Sequence, residues 1–259
     1  MELGIKGKRA LITGASSGLG AAAALALAQE GVEVAINSRN LERLSRSADN
    51  IRRATGMVPR LAVGDVSRGA DIQKIADDIG EVDILVSNAG GPPSGDFLDH
   101  PGERWLEAAD LVLHSAINLT RAFLEGMKER GWGRLIYITS IGVLQPIDSL
   151  ILSNTYRAGV TGFCKTISNN YAKYGITANC VCPGYTATER LWELARRQAE
   201  QTGRTAEQVM ESFAAASPAG RVGQPEEPAS LIVFLASERA AYITGASIPV
   251  DGGVKRALI

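Results

Sequence analysis

Short, continuous apolar runs alternate with longer stretches of helical composition along nearly the whole chain. Arg9-Ala10-Leu11-Ile12-Thr13 runs into a glycine cluster and predicts a buried strand, and the alanine-rich segment Ala21–Gln29 predicts a helix stopped by Gly31. Val32–Ile36, Arg60–Val63, Val82–Ser87, Arg134–Thr139, Thr177–Val181 and Ser247–Val250 predict further strands. Helices are expected over Leu41–Ala54, Ala70–Ile79, Arg104–Arg130 and Ser153–Tyr174. Parallel strands buried on both faces read as unbroken apolar runs, so this rhythm predicts βαβ units. The expected architecture is one doubly wound, Rossmann-type α/β domain over residues 1–259, with a mostly parallel seven-stranded sheet. Residues from about 186 to 217 break the rhythm with a charged helical segment. In this architecture an insertion after a strand end borders the ligand crevice, so the segment is expected to be a mobile helical lid. A solvated helix pair stitched by i, i+4 ion pairs is the alternative.

Composition narrows the field. Of 259 residues, 45% are hydrophobic and 21% charged, with formal charge −1, so no basic field recruits nucleic acid or an anionic membrane. No apolar run approaches a bilayer span, and the first residues lack the apolar core of a signal peptide; a cytoplasmic protein is the default expectation. Cys180 and Cys182 lie two apart in a strand and share one face, with neither His100 nor His114 near in sequence. They are expected to be small buried side chains, and no metal site is expected.

The chemistry begins at Thr13-Gly14-Ala15-Ser16-Ser17-Gly18-Leu19-Gly20, between the first strand and first helix. Gly14 permits the tight turn, Gly18 lets backbone approach a pyrophosphate, and Gly20 allows close helix–strand packing. The unpaired amides of the helix start then face the phosphates. An NAD site carries an acidic residue at the end of the second strand, but here the strand ends Asn37-Ser38-Arg39. Ser38 and the Arg39 guanidinium suit a 2′-phosphate, so NADP is expected ahead of NAD.

With these residues in place, the chain resembles the short-chain dehydrogenases/reductases, and within them the 3-oxoacyl-(acyl carrier protein) reductases. Asp65-Val66 resembles the family's adenine-contacting pair, Asn88-Ala89-Gly90 its strand-four motif along the cofactor, and Asn179, Pro183-Gly184 and Thr188 the segment at the nicotinamide end. Pro218, Arg221, Pro225-Glu226-Glu227, Thr244-Gly245 and Asp251-Gly252-Gly253 resemble its C-terminal region. The resemblance implies hydride transfer between a nicotinamide and a carbonyl or secondary alcohol. It also implies a catalytic tyrosine, a lysine four residues later that holds the nicotinamide ribose, a serine on the preceding strand, and an asparagine on the long helix.

Only the serine, Ser140, matches. The tyrosine position falls on Ser153, the lysine position on Arg157 and the asparagine position on Val112. An aliphatic alcohol is a far weaker acid than a phenol, and an arginine keeps the charge without relaying protons. Tyr156 and Arg157 follow Ser153 by three and four residues, spacings that share a helical face, so the three are expected to lie together. The proton donor is therefore expected to be Tyr156, or a water polarised by Ser140, Ser153 and Arg157. Arg190 and Trp192 in the lid are candidate substrate contacts. A small-molecule oxidoreductase is the expected function, with a non-redox lyase or isomerase, or an inactive nucleotide-binding scaffold, as alternatives. By the resemblance, a homotetramer is implied, through the Arg104–Arg130 helix and the helix carrying Ser153.

Overall fold

Apolar residues at alternating strand positions enter two separate cores, one on each face of a single sheet. In the computed structural model, which describes residues 2–258, strand β1 (Arg9–Ile12) sends Ala10 and Ile12 to one face and Leu11 to the other. Strands β4 (Ile84–Ser87) and β5 (Gly133–Ile138) divide in the same way: Val86 and Ile136 join the first core, Leu85 and Leu135 the second. This is the period-two geometry of a strand covered on both sides.

The remaining strands are β2 (Glu33–Ser38), β3 (Arg60–Val63), β6 (Ile176–Pro183) and β7 (Ser247–Val250). Their order is β3-β2-β1-β4-β5-β6-β7. Every pairing is parallel, which sharpens the expectation of a mostly parallel sheet. Helices α1 (Gly18–Gln29) and α2 (Leu41–Thr55) cross over from β1 and β2, and α3 (Gly69–Ile79) follows β3. The chain is a doubly wound α/β domain. Strand order reverses beside β1, which places a crevice at the carboxyl ends of β1 and β4.

The expected single helix over Arg104–Arg130 is instead interrupted. It comprises α4 (Gly102–Ala109), a π-turn over Asp110–His114, and α5 (Ser115–Arg130). The turn has the i−5 pattern, with the Ser115 amide donating to the Asp110 carbonyl, and Ser115 Oγ donates to the carbonyls of Leu111 (2.6 Å) and Val112 (3.3 Å). Val112 is buried within the turn. Next comes α6 (Ile151–Tyr171), which carries Ser153, Tyr156 and Arg157. After β6, helices α7 (Glu189–Thr202) and α8 (Ala206–Ala216) form the expected insertion, with a small core of their own around Ala195, Ala199 and Val209. Helix α9 (Glu226–Ala236) returns to the first core. Among the described residues no helix is long and apolar enough to cross a membrane.

Candidate active site

The turn from β1 into α1 is built by packing against its neighbours. Gly14 sits at φ 58°, and a Cβ there would lie 2.7 Å from the Asn88 side chain. A Cβ on Gly20 would come within 2.4 Å of the Gly14 carbonyl oxygen, so only glycine lets α1 close on its own turn. Asn88, just past β4, holds the turn from the other side. Its backbone amide donates to Thr13 Oγ1 (2.9 Å), which donates back to the Asn88 carbonyl (2.7 Å). The Ser17 side chain does not cap α1. The opening amides of α1 therefore remain available to an external acceptor, and they point where a helix dipole favours an anion.

A cleft of about 1040 Å³ runs from this turn across the sheet's carboxyl edge. Gly14, Ser16, Ser17, Gly18 and Leu19 line it at the turn, whereas Gly20 lies behind, in its packing role. Ser38 and Arg39 line one end, with Asp65 and Val66 beside them. Arg39 Nη1 lies 3.6 Å from Asp65 Oδ2. Partial burial alone would raise the Asp65 carboxyl, but the Ser67 amide and hydroxyl, with Arg39, hold it below the usual carboxylate value. Asn88, Ala89 and Gly90 form the middle of the floor; Pro183, Gly184 and Thr188 lie beyond. Thr188 Oγ1 caps α7, accepting from the Leu191 amide at 3.3 Å. This groove, lined with glycines and closed by a helix N-terminus, fits a dinucleotide.

At the other end Ser140 and Ser153 line the cleft together. Ser140 follows β5 and accepts from the Gly142 amide at 3.1 Å, while the Ser153 hydroxyl has no hydrogen-bond partner among the described residues. Asn154 fastens the intervening loop, donating Nδ2 to the Ile147 carbonyl at 2.8 Å. Arg157 is buried beneath them. Its Nη1 donates to the carbonyls of Ile138 (2.8 Å) and Thr139 (3.2 Å), and its Nη2 to that of Ala89 (3.4 Å). No carboxylate pairs with it among the described residues. Burial, and then the charge of Arg190, lower its pKa from the ordinary guanidinium value to about 10, so it stays a cation at neutral pH. Behind it a cavity of about 10 Å³, bordered by Ser115, Thr139 and Val112, has room for at most one water.

Two expected site residues sit elsewhere. Tyr156 does not line the cleft; its ring lies edge-on to Trp105 of α4, 6.1 Å between centroids, against the second core. Trp192 is likewise absent from the lining, whereas Arg190 is present and donates Nη2 to the Pro92 carbonyl at 2.6 Å. Tyr185, directly after Pro183-Gly184, was not singled out by the sequence. It lines the cleft and stacks on Phe213 of α8, centroids 4.6 Å apart and planes at 12°, so the α7–α8 insertion contributes to an aromatic wall. Arg43 and Glu189 also line the cleft and were not singled out.

The fold and this groove belong to a nucleotide-binding α/β class, and comparison with known proteins gives the family. A family model described as enoyl-(acyl carrier protein) reductase matches residues 14–255. An acetoacetyl-CoA reductase of Rhizobium meliloti is 36% identical over 247 residues, covering 94% of this chain and 97% of the relative. A 3-oxoacyl-(acyl-carrier-protein) reductase of Pseudomonas aeruginosa is 32% identical, covering 97% and 99%. The crystal structure of L-sorbose reductase from Gluconobacter frateurii, complexed with NADPH and L-sorbose, superposes with a TM-score of 0.94 at 32% identity and full coverage of both chains. The chain belongs to the short-chain dehydrogenase/reductase family of oxidoreductases.

Proposed function

We propose that this chain is an NADPH-dependent reductase that interconverts a carbonyl and a secondary alcohol, with water as the immediate proton donor. The observation that carries this reading is the single cleft joining the β1–α1 turn and Arg39 to Ser140, Ser153 and the buried Arg157. When bound, the nicotinamide cofactor supplies or takes up hydride. The turn from Gly14 to Leu19 would hold the pyrophosphate, Ser38 and Arg39 the 2′-phosphate, and Asp65 and Val66 the adenine. Asn88, Ala89, Gly90 and Arg157 would border the nicotinamide ribose, and Pro183, Gly184 and Thr188 the ring. The NADPH complex of the sorbose reductase supports NADP over NAD.

When hydride reaches the carbonyl carbon, the C=O π electrons move to the oxygen, which must then gain a proton. Ser140 and Ser153 offer hydroxyls there, but each is too weak an acid alone. The Arg157 cation lies below them and favours negative charge above it, which makes a water held by the two serines a better donor. With Tyr156 turned toward Trp105, the tyrosine version of the donor has no support from geometry. A lyase or an inactive scaffold gains nothing from relatives that are named reductases and dehydrogenases. A homotetramer is part of the same reading: Leu106 of α4, Leu98 and Phe97, whose ring lies edge-on to Trp105, are exposed apolar residues.

The test is loss of nicotinamide absorbance on mixing NADPH with panels of 3-oxoacyl thioesters, keto-sugars and keto-acids. At least one class should be reduced, and Ser140→Ala should slow it about 100-fold or more, as removal of an oxyanion donor does. Tight NADPH binding with no oxidation by any carbonyl class would overturn the proposal.

A further inference from the structure

Two arginines stand four residues apart at the ribose end of the cleft, Arg39 just before α2 and Arg43 in its first turn. Each rests on a carboxylate from a different part of the chain. Arg39 faces Asp65 after β3, and Arg43 Nη2 pairs with Oε2 of Glu189, the first residue of the lid helix α7. The same Nη2 lies 3.4 Å from Ser17 Oγ in the phosphate turn. The base of Arg43 is fixed, because its amide donates to Asn40 Oδ1 at 2.9 Å. Its guanidinium therefore bridges the phosphate turn and the lid. Glu189 has no other side-chain partner among the described residues.

We infer that Arg43 is a second anchor for the 2′-phosphate, and that Glu189 competes with that phosphate for it. This rests on the reading of the cleft as an NADPH site. An ion pair with both side chains about half exposed is weak. A phosphate dianion carries more charge and matches the guanidinium fork, so it displaces the carboxylate. Glu189 stays near by because an acidic residue is favoured in the first turn of α7. Arg43 is thus neutralised when no phosphate is present and is handed over when one arrives. The handover releases the start of the lid from α2, while a dinucleotide without the phosphate leaves that tether made.

The test is calorimetric binding of 2′,5′-ADP and of 5′-AMP to the full chain, independent of turnover. Arg43→Ala should weaken 2′,5′-ADP about 10- to 100-fold, as expected for loss of a hydrogen bond to a charged group, and should change 5′-AMP by less than about twofold. Glu189→Gln should tighten 2′,5′-ADP about three- to tenfold by removing the competitor, and this gain should vanish in the Arg43→Ala background. Thermal melts matching wild type would confirm that the exposed substitutions leave the fold intact. Unchanged 2′,5′-ADP binding in Arg43→Ala, weaker binding in Glu189→Gln, or a gain that survives without Arg43 would each overturn the inference while leaving the NADPH reading standing. Equal affinity of the wild type for the two nucleotides would defeat both.

Discussion

Replacing Arg157 with lysine separates the charge of this side chain from its shape. The guanidinium lies under the two serines, donates to three carbonyls at the ends of β4 and β5, and has no carboxylate partner among the described residues. Burial brings its pKa below the ordinary guanidinium value, to about 10, so its charged form is roughly 3 kcal/mol less favoured than in water, though still dominant at neutral pH. A lysine there starts from a lower ordinary value and meets the same burial and the same Arg190 charge, so it sheds its proton within the range of ordinary buffers. Between its folded and unfolded pKa values the unfolded chain holds the proton that the folded chain has lost. Stability must then rise with pH across that window, by up to about 3 kcal/mol. Turnover must fall across the same window if the cation supports the chemistry. Wild type should show neither change until about pH 10, where Arg157 itself begins to titrate. Urea melts and turnover profiles of Arg157→Lys from about pH 7 to about pH 10 give both readings. A turnover profile parallel to wild type, with a stability difference that does not vary with pH, would refute a role for the buried charge.

Other substitutions probe separate parts of the account. Gly20→Ala drives a methyl into the Gly14 carbonyl and should cost about 1–3 kcal/mol in thermal or urea melts, and should abolish NADPH binding by calorimetry. Tyr156→Phe should leave turnover within about twofold of wild type, since the phenol lies outside the cleft. Restoring the family pair with Ser153→Tyr and Arg157→Lys together should raise turnover about 100-fold, the scale of a positioned general acid, measured on whichever carbonyl the wild type reduces. Leu106→Glu should shift the sedimentation of the assembly toward smaller species if α4 lies in a subunit contact.

The strands were legible because a sheet covered on both faces demands unbroken apolar runs, and each lies within one or two residues of its expected ends. The glycine turn was legible for a related reason: Gly14 and Gly20 are fixed by backbone contacts that no other residue satisfies. The π-turn at Asp110–His114 left no such mark. Its composition is ordinary for a helix, and the Ser115 hydroxyl that donates to the Leu111 carbonyl does the same in a regular helix. Tyr156 illustrates the limit of helical spacing. Viewed down α6, it lies about 60° to one side of Ser153 and Arg157 about 40° to the other. The first offset meets Trp105 of α4 and the second meets the ends of β4 and β5, so one helical turn serves two surroundings. Arg43 could have been picked out by its spacing of four from Arg39. Its pairing with Glu189 spans 146 residues and is set only by the fold.

The central claim is that this cleft moves hydride from a nicotinamide to a carbonyl carbon. NADPH carrying deuterium at the transferring position, incubated with a reducible carbonyl and followed by mass spectrometry, tests it directly. The account predicts one deuterium on the new carbinol carbon for each cofactor oxidised, lost in step with turnover in Ser140→Ala. Substrate converted while the labelled cofactor remains reduced and undiminished would contradict it.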